Sequence, residues 1–147
     1  MEKYHWALVS AIIGAISGLF AAYWRTRYTI KAQDLSKRLE ELCASIGKLE
    51  ELSCQYWDDT NTKEKPSPHY ILGYKTKISL LVNYLDEQYA RFSKADTSDL
   101  LSVFFEACTG GDFESSEPKG DPKRLRKILI TGERLKIALL KIRGQLY

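Results

Sequence analysis

Three cysteines, two histidines and two adjacent glutamate pairs are the side chains best suited to covalent, metal or acid–base chemistry in this chain. Cys43 and Cys54 fall on one helix face, but eleven residues at about 1.5 Å each set them roughly 16 Å apart. That separation excludes a disulfide or a shared metal ion within one helix. His5 borders an apolar segment and His69 a Pro-containing loop. Glu40-Glu41 and Glu50-Glu51 are spaced as a solvated helix face rather than as an acid–base pair. There is neither a phosphate-binding glycine loop nor a Gly-x-Ser-x-Gly turn. The expectation is a non-enzymatic chain with no catalytic residue, no metal ligand set and no cofactor.

Two other residue patterns are built for physical rather than covalent chemistry. The first is Trp6–Trp24, WALVSAIIGAISGLFAAYW, nineteen residues without a charge. As a helix it is roughly 28 Å long, close to the hydrocarbon thickness of a bilayer. Tyr4, Trp6, Tyr23, Trp24 and Tyr28 supply aromatic belts at both edges. Ser10, Gly14, Gly18 and Ala22 recur every four residues and so share a face. Small residues let helix backbones approach closely in lipid, where apolar burial gives no drive for association. This face predicts self-association of the span; the competing explanation is the ordinary Gly, Ala and Ser content of membrane helices. A pore lining would have only Ser10 and Ser17 as hydroxyls.

The segment does not read as a cleaved signal peptide. Cleavage after Ala21 or Ala22 would put Leu19 or Phe20 where a small residue is needed. Near the span, Lys3 stands alone on the N-terminal side against Arg25, Arg27, Lys31, Lys37 and Arg38 on the other. The positive-inside rule then predicts a single-pass protein of the cell inner membrane, N-terminus outside and C-terminal domain cytoplasmic. An odd number of cysteines without short paired spacing agrees with a reducing compartment.

The second pattern is charge. Residues 33–121 hold ten Lys/Arg and seventeen Asp/Glu, whereas residues 122–147 hold eight Lys/Arg and one acid, Glu133. At 100° per residue Lys123, Lys127, Arg134 and Lys141 form one stripe, with Leu125, Ile128, Leu129, Leu135 and Leu139 expected to face a core. Three occupants suit the stripe: the chain's own acidic helices, anionic lipid, or a cytoplasmic protein or nucleoprotein partner. It lacks the interleaved aromatics of single-strand binders.

The elements that must position these residues are helical. Ala32, Leu35, Leu39, Leu42, Ile46 and Leu49 step by three and four, predicting a helix over 31–57 that could continue straight from the span. Its stripe suits an intramolecular bundle seam or an intermolecular coiled coil. Asp58–Pro68 reads as a loop, 69–94 as a second helix, and Asp96 as the cap of a short third helix closed by Thr109-Gly110-Gly111. An acidic loop with Asp112, Glu114 and Glu117 leads to Asp121-Pro122, a strong start for a fourth helix running to about Arg143. The predicted fold is all-α: an N-terminal transmembrane helix, then a small cytoplasmic bundle of about four helices. Residues 1–30 are expected to form the anchor and 31–147 the cytoplasmic domain.

With WALVSAIIGAISGLFAAYW, a small helical domain and the basic tail PKRLRKILITGERLKIALLKIRGQLY, the chain resembles in architecture the small single-pass transmembrane effectors of bacterial anti-phage systems of retron type. The resemblance implies a membrane-damaging toxin held inactive by cytoplasmic partners. The alternative is a membrane-anchored adaptor that recruits a cytoplasmic protein or nucleoprotein.

Overall fold

The computed structural model describes residues 2–59, 65–115 and 120–145, except for the side chains of residues 2–4, 7 and 8. The Tyr4 ring, positions 60–64 of the Pro-containing loop and Glu117 of the acidic loop lie outside the described residues. Four helices carry the chain: α1 (Glu2–Trp57), α2 (Pro68–Gln88), α3 (Ala95–Thr109) and α4 (Pro122–Gly144). Every regular element among the described residues is a helix. The chain divides into two compact units, residues 1–34 and 35–147.

In the first unit α1 contains one stretch long and apolar enough to cross a membrane. The helix carries through its β-branched residues, and the two threonine hydroxyls bond back along it. Thr26 Oγ1 donates to the Ala22 carbonyl at 2.9 Å and Thr29 Oγ1 to that of Arg25 at 2.8 Å.

The second unit is built on the stripe of α1. Leu35, Leu39, Leu42, Ile46 and Leu49 are buried against Ile71, Ile78, Val82 and Leu85 of α2, Leu101 and Phe104 of α3, and Ile128, Leu135 and Leu139 of α4. The seam is therefore intramolecular, and this stripe has no apolar side chains left over for a coiled coil between copies.

Two local expectations fail, for one reason. The second helix stops at Gln88 instead of reaching 94, and Asp96 sits inside the first turn of α3 instead of capping it. Asp86 takes over the capping role from the preceding helix: its carboxylate accepts the Lys94 backbone N–H at 2.8 Å. The Lys94 ammonium also reaches Asn83 Oδ1 at 2.8 Å, and Phe92 turns into the core. A contact between elements has displaced a local signal.

At α4 the local signal holds. Asp121 accepts from the backbone N–H groups of Lys123 at 3.1 Å and Arg124 at 3.0 Å, with Pro122 at the first helical position. The Arg124 N–H, helped by that of Lys123 and the Arg124 charge, holds the Asp121 carboxyl below its ordinary range.

At Gly132 α4 packs closely on its neighbours. A Cβ there would press on the Glu50 carboxylate and lie 3.1 Å from the Phe104 ring. Gly132→Leu should cost about 1–3 kcal/mol by overpacking, despite the better helix propensity of leucine. Urea unfolding of the variant checks this; an unchanged or raised midpoint would show that α4 does not pack this closely.

Candidate functional site

The four small residues of the candidate span all stand on an exposed surface. Ser10, Gly14, Gly18 and Ala22 are exposed, and a Cβ built at Gly14 or Gly18 meets nothing within 4 Å. The rest of the segment is equally bare. Every described side chain from His5 to Lys31 is exposed, including Trp6, Ile13, Ile16, Leu19, Phe20 and Trp24 at 60% or more. Ser17 Oγ donates to the Ile13 carbonyl at 2.8 Å, so this hydroxyl is satisfied within the helix.

The second surface is the outer side of α4. Lys123, Lys127, Arg134 and Lys141 are exposed, and no ion pair among the described residues involves them. The cations that do pair lie nearer the core. Lys136 meets Glu133 at 2.8 Å and Glu50 at 3.4 Å, Arg143 meets Glu40 at 2.8 Å, and Arg124 meets its own cap Asp121 at 3.5 Å. Glu50 Oε2 is buried and receives no hydrogen bond, so the Lys136 ammonium is the charge that balances it. Its pairing with Glu133 and Glu50 raises the Lys136 ammonium above its ordinary range.

One position departs from the expected core face. Leu129 is 51% exposed rather than buried, and Ile130, Ile137 and Leu140 are exposed with it. Around the helix axis these four fall within about 100° of one another, and the four unpaired cations fill an adjoining sector of about 40°. Arg126 and Glu133 stand among the apolar four, also exposed. Sequence reasoning missed this stripe. The signal was present: the apolar residues of α4 cover a wider arc than one buried seam requires.

Arg124 and Trp57 form the other arrangement that sequence reasoning did not foresee. Helix α3 has no basic residue in its last turn. Its final carbonyls are met partly from elsewhere in the fold: Glu106, which also accepts the Gly110 N–H at 2.9 Å, and Ala107 receive Arg124 Nη1 at 3.4 Å each, and Cys108 receives the Trp57 indole N–H at 2.9 Å. The Arg124 guanidinium lies 4.5 Å from the Trp57 ring centroid, a cation–π contact. A cation at a helix C-terminus also meets the negative end of the macrodipole.

The cysteines are poor nucleophiles. Burial pushes the Cys108 thiol up to about 12 and, together with Glu50 and Asp58, the Cys54 thiol up to about 11. Burial also raises Cys43, against the opposing pull of Lys136 and Arg143. A reactive cysteine needs the opposite shift. Thiols raised in the folded state keep their stabilising contribution below the unfolded value of 9.0 and lose it as pH climbs toward 12. The urea midpoint should therefore fall as pH rises above about 9, and a flat profile would mean that the thiols are solvated. Among the described residues no three of His, Cys, Asp and Glu group as metal ligands.

No protein-family model, no curated protein and no solved structure matches the chain.

Proposed function

We propose that the chain is a membrane-anchored, non-enzymatic helical protein of the inner membrane whose spans self-associate through Ser10, Gly14, Gly18 and Ala22 and disturb the bilayer. Its cytoplasmic unit receives the controlling contact on the basic outer face of α4. This is the effector activity that the resemblance to retron-type systems implies. The observation that carries the reading is the exposure of every described apolar side chain from Trp6 to Trp24. In water such a surface far exceeds what a soluble protein leaves uncovered; in a bilayer it is the favourable state. The raised thiols of Cys43, Cys54 and Cys108 support the non-enzymatic part.

An adaptor is the second reading, favoured by the unpaired cations Lys123, Lys127, Arg134 and Lys141. Induced expression with a membrane-potential dye separates the two. An effector depolarises cells as the full chain and leaves them polarised without residues 1–30. An adaptor leaves the potential unchanged in both forms, although the full chain stays in the membrane.

A further inference from the structure

We propose that the outer face of α4 docks on the anionic lipid surface, the occupant that the structure of this face fits best. The inference rests on the anchored reading above and names the contact partner of its basic face.

Three observations converge on lipid. The face pairs an exposed aliphatic stripe, Leu129, Ile130, Ile137 and Leu140 (with Arg126 and Glu133 among them), with an adjoining row of cations. That combination is the pattern of helices lying in a membrane interface: aliphatic side chains enter the acyl boundary while ammonium and guanidinium groups meet headgroup phosphates. Among the described residues Lys123, Lys127, Arg134 and Lys141 form no ion pair with a carboxylate, whereas Lys136 and Arg143 on the other flank of the helix do. The chain from 33 to 121 has the opposite sign, seventeen Asp/Glu against ten Lys/Arg. An anionic surface therefore attracts α4 and repels the rest of the unit, which selects one orientation.

The other occupants fit less well. A second copy meeting α4 on α4 would set two rows of like charge side by side. A nucleic acid would use the cations but leave the aliphatic stripe in water, and the face has no aromatic ring for base stacking. An acidic amphipathic protein satisfies the chemistry, but it must be recruited from solution. The tether of an anchored chain holds lipid at high effective concentration.

The test uses the wild-type full chain reconstituted with its bundle outward, in vesicles of phosphatidylcholine alone or with about 30% phosphatidylglycerol. A membrane-impermeant amine-acylating reagent is applied, and modification is read at each lysine by mass spectrometry. Lys123, Lys127 and Lys141 should be modified at least about threefold less in the anionic vesicles, with Lys48 and Lys77 unchanged. The protection should vanish in roughly 0.5 M salt, where the screening length falls to a few ångströms. Joint Ile137→Asp and Leu140→Asp substitution, at exposed positions that leave the core intact, should remove the protection at low salt as well. Equal modification in both vesicle types overturns the proposal. So does protection in neutral vesicles that grows with protein density, which would assign the face to a second copy. Protection appearing only when duplex DNA or an acidic polypeptide is added overturns it in favour of that partner.

Flotation of the same samples keeps the two readings apart. Flotation with both vesicle types but no change at the α4 lysines sinks the docking proposal alone. Salt-sensitive flotation with anionic vesicles only sinks the anchor and leaves the docking in place. No flotation with either overturns both.

Discussion

Trp57→Ala should destabilise the bundle by about 3–5 kcal/mol, the range for removing a buried aromatic side chain. Trp57 is 3% exposed at the C-terminal end of α1. Its ring packs edge-on to Tyr56 at 5.2 Å and lies 6.5 Å from Phe113. Its N–H caps the Cys108 carbonyl, and its face supports Arg124. The alanine variant therefore empties a core site, orphans a helix-end carbonyl and frees the cation that caps the rest of α3. The whole stability of a domain this size is about 5–15 kcal/mol, so the loss is a large share of it. Trp57→Phe separates packing from hydrogen bonding: it keeps most of the ring and should cost about 1–3 kcal/mol. Urea denaturation of both variants measures the difference. Equal losses for Ala and Phe would mean that the N–H bond, not the ring, holds α3 to α1.

Replacing Gly14 and Gly18 together by leucine should reduce association of the span to that of a non-associating control helix, with membrane retention unchanged. Two helices can approach closely only where Cβ atoms are absent or small, and both glycines face open space where a leucine would stand out from the helix. Leucine is more apolar than glycine, so insertion itself is favoured. A two-hybrid reporter of membrane-helix association gives the measurement. Depolarisation by the full chain should disappear with the association signal. An unchanged signal would reduce the small-residue face to background composition and remove the mechanism by which the span acts.

What the residues reveal in order along the chain differs from what they reveal only once folded. The stripe Leu35, Leu39, Leu42, Ile46 and Leu49 specified the buried seam because period and burial agree on a helix that faces one core. Asp121-Pro122 specified the start of α4 because every bond in that cap lies within three residues. The end of α2 was not legible, because Asp86 captures the Lys94 N–H across eight residues and local propensity carries no trace of that bond. The exposure of Leu129 was hidden for a related reason. A helical wheel orders residues around an axis, but how much of the arc neighbouring helices cover is a property of the packing. The C-terminal cap of α3 by Trp57 and Arg124 joins positions 51 and 17–18 residues away and leaves no local motif. The two candidate surfaces were legible as patterns of small residues and of charge. What the fold adds is that their side chains stand exposed and that the α4 row has an apolar stripe beside it.

If residues 6–24 hold this protein in a bilayer, alkaline carbonate extraction of membranes from expressing cells will show it. Alkaline carbonate strips proteins attached through charge, such as a chain held only by Lys123, Lys127, Arg134 and Lys141, but does not extract a span. The full chain should remain in the membrane pellet, while residues 31–147 expressed alone move to the supernatant. Release of the full chain along with residues 31–147 would contradict the account: the exposed apolar helix would then need a protein partner, not lipid, to cover it.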